Sequence, residues 1–414
     1  MREMFLFLKN LKGNAKAAVL AQPLWGIPFN LYMPFATLYM HRLYVTDIQI
    51  GLMLAVGRLF AMFFSLMGGV ITDKMGRRIT NLVGDFVGWC IPALIWAFAR
   101  DFRWFMVAAI VNSFVQVVAV AWECLITDED GENPQKITQI YNWIHICGVL
   151  AVLFVPFAGI LVNRFDLVVV VRGLYIFAFF SMTAKAVLLY AFSKETERGV
   201  ERMRETKGVP IFRMLAEYRS VFGIIFRSKS MIRALGLQAL QHTTVMIGTT
   251  FFALYTTLNL GLPESFLAYF PILRAAVMLV FLFILQKYLN KINAAFVMLG
   301  GIGAYLVANA VILFTPVDNV LLISVYVLLE AVGVAMLVPR LSALVANAID
   351  PKERARIRGL FNLAILAVVS PLAFAAGALS DMNRRLPFVL NFSLFAVMAV
   401  VLLIPQKKVA EELV

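Results

Sequence analysis

The chain has 414 residues, 62% hydrophobic and 15% charged, with 37 Lys and Arg against 24 Asp and Glu and a formal charge of +13. A mean hydropathy of +0.85 is far above what a water-soluble domain carries. The apolar residues also come in blocks without the polar faces of soluble core helices, which excludes a soluble helical protein.

The opening residues, MREMFLFLKNLKGNAK, hold four basic side chains. They lead into a full-length apolar window, not a short h-region with a small-residue cleavage site, so no cleavable signal peptide is expected. This segment reads equally as an amphipathic helix on the membrane surface or as a solvated tail. A bilayer core takes about 20 mostly apolar residues per spanning helix. Such windows begin near Ala15, Ile48, Thr80, Trp104, Thr138 and Leu167, and again near Met231, Ser265, Asn293, Val320, Leu360 and Leu386. They predict an all-α membrane protein of twelve transmembrane helices. Pro28 and Pro34 bend the first span, a feature that membrane helices tolerate. Cys90, Cys124 and Cys147 fall inside spans, a placement that argues against a disulfide framework and a zinc site. No metal and no cofactor are expected.

Lys and Arg concentrate in alternate loops: Lys74, Arg77 and Arg78 after span 2, Lys194 to Arg233 after span 6, and Lys287 and Lys291 after span 8. Lys352, Arg354, Arg356 and Arg358 follow span 10, and Lys407 and Lys408 close the chain. This positive-inside bias predicts both termini in the cytoplasm of a plasma membrane, of prokaryotic type. The basic face suits anionic lipid head groups, not nucleic acid, because no basic patch is interleaved with aromatics. The chain divides once. Residues 1–193 form a first set of six spans and 231–414 a second. Residues 194–230 form a cytoplasmic linker, charged and solvated in its first part and amphipathic in its second.

The halves are weakly alike. CLITDED leads into IYNWIHICGVLAVLFVPFAGIL, and ANAIDPKERAR leads into GLFNLAILAVVSPLAFAAGAL. Each pair has an Asp at a helix end, an Asn early in the next span, and then Pro and Gly. Internal repeats of this kind are expected of transporter folds built around a midplane site.

Between spans 2 and 3 stands GGVITDKMGRRIT, Gly68 to Thr80. Its pattern Gly69-x-x-x-Asp73-Lys74-x-Gly76-Arg77-Arg78 resembles the loop 2–3 signature of the major facilitator superfamily. From the residues alone, Gly69 admits a neighbouring helix and Gly76 permits the tight turn. Asp73 can pair with Arg77 and face the positive end of an adjacent helix. Asp128 to Asp130 offer partners for Arg77 and Arg78. The resemblance implies two pseudo-symmetric six-helix bundles and a cavity lined by spans 1, 4, 7 and 10. It also implies that Asp73 latches against the start of span 11, near Arg358. Other motifs of that family fit less well. Span 5 reads CGVLAVLFVPFAGI without the full glycine run of antiporters, and mid-span 4 offers Asn112 and Gln116 where an Arg is usual.

Ionisable and polar residues inside a membrane are costly, and so they are candidates for function. Arg58 lies on the small-residue stripe Gly51, Ala55, Met62, Ser65 and Gly69 of span 2. Arg274 lies at similar depth in span 8. Glu330, on a stripe with Gly333 and Arg340, reads as a proton carrier or as the buried partner of Arg340 or Arg58. Asn112, Gln116 and Glu123 share a face of span 4, with Glu123 second in line for proton coupling. Gln238, Gln241 and His242 in span 7, His145 in span 5 and Trp25, Phe29 and Tyr32 in span 1 are candidate cavity residues. Lys185 is expected to snorkel towards the cytoplasm.

These residues point to a monomeric secondary transporter, not an enzyme. It would move a small solute by alternating access, with proton coupling through a carboxylate and an organic anion as the solute. A polyspecific efflux antiporter, a lipid flippase and a non-transporting sensor remain open.

Overall fold

The computed structural model describes residues 11–128, 134–216, 229–348 and 354–404. Among these there are helices and turns but no strand. In chain order the long helices are α1 (Gly13–Tyr32, continued by Ala36–Arg42), α2 (Asp47–Met75), α3 (Arg77–Ala97) and α4 (Phe102–Thr127). They continue with α5 (Pro134–Val152 and Val155–Arg164), α6 (Leu167–Phe192), α7 (Lys229–Leu254) and α8 (Glu264–Leu289). The last are α9 (Ala294–Phe314), α10 (Val320–Ala348), α11 (Arg354–Met382) and α12 (Leu386–Leu403). Among the described residues, ten helices are long and apolar enough to cross a membrane. α1 and α7 have comparable lengths of 20 and 26 residues but carry more polar groups, such as Asn14, Lys16 and Gln22 in α1 and Gln238, Gln241 and His242 in α7.

Prolines break α1, and its neighbours satisfy what they leave. A helical proline frees the carbonyl four residues earlier. Pro28 frees Leu24 O, which Ser181 Oγ of α6 takes at 2.7 Å, and Pro23 frees Val19 O, which Cys147 Sγ of α5 approaches at 4.0 Å. Pro34 sits in a 3-10 turn, Met33–Phe35, where the helix is interrupted. α3 contains a π-turn at Phe86–Cys90, and the Gly88 carbonyl there accepts a hydrogen bond from Asn112 Nδ2 at 2.7 Å.

α1 packs on α5 and α6, α2 on α4, and α3 on α4 and α6. α7 packs on α11 and α12, α8 on α10, and α9 on α10 and α12. Further contacts join these groups, the largest where α2 runs along α11 and where the far end of α5 meets the start of α8. Where α2 crosses α11 the backbones touch. A Cβ on Gly51 would stand 2.7 Å from Gly377 Cα, so only glycine fits at either position.

The segment after α6 departs from the expected solvated linker. Thr196 caps a helix over Glu197–Glu205 by accepting from Gly199 N, and this linker helix lies on the α2–α3 turn through side chains described below. The amphipathic second part is described as Ile211–Ala216. Its continuation at 217–228 lies outside the described residues.

Candidate functional site

Arg274 and Glu330 come together where α8 packs on α10. Arg274 Nε donates to Glu330 Oε2 at 2.5 Å. The Glu330 side chain is 10% exposed and that of Arg274 29%, so the carboxylate is the more enclosed partner. Arg274 Nη2 is buried with no hydrogen-bond partner. Gly333, one turn along α10, admits the Tyr305 ring, because a Cβ there would stand 2.6 Å from Tyr305 Cδ2. Tyr305 and Tyr326 lie within electrostatic reach of Arg274. The Tyr305 hydroxyl is buried and unpartnered. Burying two charges costs several kcal/mol per ion, at order of magnitude, and the pair holds together because each offsets the other. Protonating the carboxylate, or bringing an anion to the guanidinium, would change that balance.

Arg274 lines a cavity of about 520 Å³ between α1, α5, α7 and α8. Asn30, His145 and Thr249 supply its other polar groups, and Met33, Val149, Phe252, Phe270 and Met278 much of its apolar wall. Of the spans 1, 4, 7 and 10 that the resemblance implied, 1 and 7 line this cavity. Glu330 of α10 acts on this cavity through Arg274, and no α4 side chain lines it. Trp25, Arg58, Asn112, Gln116, Gln238, Gln241 and His242 do not line it either.

The structure gives three of those residues, Trp25, Asn112 and Gln116, other roles. Trp25 stacks on Phe29 at 4.9 Å and meets Trp89 edge-on at 5.3 Å, and Tyr32 packs on Tyr175. These rings belong to the core. Asn112 is held by the α3 π-turn. Gln116 Oε1 accepts from Asn362 Nδ2 of α11 at 3.3 Å, and the same amide donates to Ser65 Oγ at 3.1 Å. Arg340 makes only a 3.4 Å contact with Met336 O. It lies ten residues beyond Glu330 on one helix, about 15 Å along the axis, too far to pair. Arg58 does not pair with Glu330 either. Its guanidinium has no hydrogen-bond or ion-pair partner among the described residues, its Nε is buried, and it lies within electrostatic reach of His242. The Glu123 side chain is exposed and unpaired among the described residues.

The α2–α3 turn is a dense ionic knot. α2 ends at Gly76, whose φ is +83° and where a Cβ would strike Glu195 Oε2 at 2.6 Å. The backbone N–H groups of Arg77 and Arg78, at the start of α3, donate to Glu195 Oε1 and Oε2 at 3.0 and 2.9 Å. This is a carboxylate supplied from the linker to a positive helix end. Arg77, 4% exposed, joins Asp73 at 3.3 Å and Asp128 at 2.9 Å. Asp73 also accepts from Arg202 Nη2 of the linker helix at 2.8 Å, which holds the Arg202 pKa above its ordinary value. Lys74 Nζ donates to the Thr206 and Val209 carbonyls at 3.2 and 2.6 Å.

Two expectations change here, those for Arg78 and Lys185. Arg78 turns away from the acidic end of α4: its Nε donates to Tyr190 O at 3.0 Å, and its guanidinium lies 3.9 Å over the Tyr190 ring. Glu129, Asp130 and the side chain of Arg358 lie outside the described residues, so the described partners of Asp73 are Arg77 and Arg202. Gly68 lies close against α4, where a Cβ would stand 3.1 Å from Val120 Cγ2. Lys185 does not snorkel. It is 7% exposed and paired with Asp85 of α3 at 2.5 Å. Asp85 was legible as an ionisable residue within a span, but its partner, 100 positions away, was not.

A set of apolar helices around a part-polar cavity, with buried charges held in pairs, defines a polytopic membrane protein of the transporter type. Residues 19–371 match the Major Facilitator Superfamily, and the chain belongs to that family. No curated protein matches by sequence. Solved structures share the fold. The nucleoside transporter NupG is 14% identical, with 94% of this chain and 98% of that one covered and a TM-score of 0.70. The human organic anion transporter MFSD10 (TETRAN) is 17% identical, with 94% and 98% covered and a TM-score of 0.64. A bacterial homologue of the iron transporter ferroportin, in an inward-facing state, is 13% identical, with 94% and 97% covered and a TM-score of 0.67. The chain is a multi-pass membrane transporter of some solute.

Proposed function

We propose that this transporter moves a small organic anion by alternating access, driven by protons that Glu330 carries in exchange with Arg274. The Arg274–Glu330 pair on the cavity wall carries the reading. A carboxylate that takes up a proton releases Arg274, whose planar fork suits a carboxylate or phosphate of the solute. Arg58, with no counter-ion among the described residues, adds positive charge without adding cost once an anion is present.

The packing supports two bundles of six spans, 1–193 and 231–414. Adding six to each helix pair in the first set gives a pair in the second: α1–α5 becomes α7–α11, α2–α4 becomes α8–α10, and α3–α6 becomes α9–α12. The two largest cross-contacts, α2–α11 and α5–α8, exchange under the same operation. Lys and Arg placement supports a cytoplasmic linker face and cytoplasmic termini. The named solutes of the structural neighbours are chemically diverse, so the fold leaves the substrate to the site residues.

The test is uptake into proteoliposomes of a panel of labelled organic anions under an imposed pH gradient. The reading predicts accumulation that collapses with a protonophore. The mostly apolar cavity wall favours a second reading, polyspecific export of lipophilic compounds. Binding of lipophilic cations with indifference to small anions would establish that instead.

A further inference from the structure

The helix that carries the Asp73 knot at one end carries a second buried aspartate at the other. Asp47 is the first residue of α2, set by a capping box in which Thr46 Oγ1 accepts from Gln49 N and Gln49 Oε1 accepts from Thr46 N. Its side chain is 1% exposed. Its described hydrogen bonds come from α11 and the turn after it. Ser380 Oγ donates at 2.6 Å, Arg384 Nε at 2.9 Å and Arg384 Nη2 at 3.4 Å. From its own side it has only His41 Nδ1, at 3.9 Å. One turn inward, the Gly51 and Gly377 backbones are in contact.

The same face is closed at two other places. Arg42, after α1, donates through Nε to Glu264 at the start of α8, at 3.1 Å. Gly159 of α5 meets α8 so closely that a Cβ would stand 2.7 Å from Ala268 Cβ. At the linker end the situation is reversed. Asp73 bonds to Arg77 of its own turn and to Arg202 of the linker helix, and no described α11 residue touches its carboxylate. From Asp47 to Asp73 the helix rises about 39 Å, close to the full thickness of a bilayer with its head groups. One rigid helix thus has its far end bound across the seam, while the described partners of Asp73 at its linker end are Arg77 and Arg202.

We infer that Asp47, Ser380 and Arg384 form the latch that holds the face opposite the linker shut. The inference rests on the alternating-access reading and adds to it the residues of the second gate. A carboxylate buried on hydrogen bonds from another helix group loses them when the groups part. Opening that face must therefore break this contact and admit water to Asp47, and it must separate the Gly51–Gly377 contact with it. The Arg42–Glu264 and Gly159–Ala268 contacts do not touch Asp47, yet they open with it if the face moves as one.

Hydrogen exchange read by mass spectrometry on the full chain in nanodiscs tests this without any substrate, so it stands apart from whether an organic anion is transported. In Asp47→Asn, residues 41–51, 264–268 and 377–384 should all exchange about tenfold faster, the population shift that losing a charge-assisted contact supports. Residues 73–78 should exchange more slowly. Arg384→Gln, which leaves Asp47 in place, should give the same pattern. The swap of Asp47→Arg with Arg384→Asp should restore the wild-type profile. Acceleration confined to 41–51 and 377–384, with 264–268 unchanged, would show a local brace and overturn the latch. So would no change in either single variant.

Discussion

Replacing Glu330 with Gln removes the charge and keeps the shape, so it isolates the proton. Breaking a buried ion pair by neutralising one partner costs about 3–5 kcal/mol. The Arg274 side chain, 29% exposed toward the cavity, keeps access to water and places the cost at the low end, so the variant folds. Its transport should split in two. A proton carried down a pH gradient of about 1.7 units supplies about 2.3 kcal/mol, and because a proton and a monoanion together carry no net charge, at about 1.4 kcal/mol per tenfold that supports about 50-fold accumulation of solute. In proteoliposomes Glu330→Gln should bring this to about onefold at equilibrium. Counterflow exchange needs no coupling proton and should continue within a few-fold of wild type. Anion affinity should rise, because no carboxylate competes for Arg274, and its pH dependence should flatten. Gradient-driven accumulation at the wild-type level in this variant would refute the coupling role and transfer it to Glu123.

Lys185→Met leaves Asp85 as a lone buried charge and should lower thermal stability in detergent by the equivalent of about 3–5 kcal/mol, while adding Asp85→Leu should recover most of the loss. Intrinsic-fluorescence melting of the single and double variants checks both. Asp73→Asn should slow transport at least about tenfold, with solute binding intact, because it removes a state-switching contact and not the site; unchanged rates would remove the turn from the cycle. Arg202→Gln, at a side chain 41% exposed, should cost under about 1 kcal/mol of stability yet alter the transport rate by freeing Asp73, as initial-rate measurements would show. Arg274→Lys should weaken anion binding about tenfold, since the charge stays but the fork is lost; calorimetry with the best anion of the panel measures it.

The spans and the α2–α3 turn could be read from sequence because each is dictated locally. A bilayer demands an apolar run of set length, and a tight turn demands a residue that tolerates the φ of Gly76. The pairings were not legible, because they depend on how each helix is rotated and which neighbour it meets. The sequence offers Glu330 as a proton carrier or as the partner of Arg340 or Arg58, and the structure pairs it with Arg274 because α8 packs on α10. Asn112 looked free in span 4, but the α3 π-turn exposes the Gly88 carbonyl that takes it. The linker looked solvated by composition. Its order comes from long-range partners, with Glu195 on the α3 amides and Arg202 on Asp73.

The buried cations show why these pairings bear on function. Lys185 has Asp85 and Arg77 has Asp73 and Asp128, each held within the same helix group. Those charges can stay compensated when the groups move as rigid bodies. Arg274 has Glu330, also within its group, but it differs in reaching the cavity, so a solute can compete for it. Arg58 has no partner among the described residues, and it stands where α2 approaches α7 of the other group, near His242. A protonated guanidinium left bare in a low-dielectric setting is costly. That cost falls whenever an anion or water enters beside it. The two arginines that sequence symmetry paired are therefore not equivalent. On the proposed function, Arg274 would release or accept an anion as Glu330 changes its proton, whereas Arg58 would offer a fixed positive charge that favours an anionic occupant in every state.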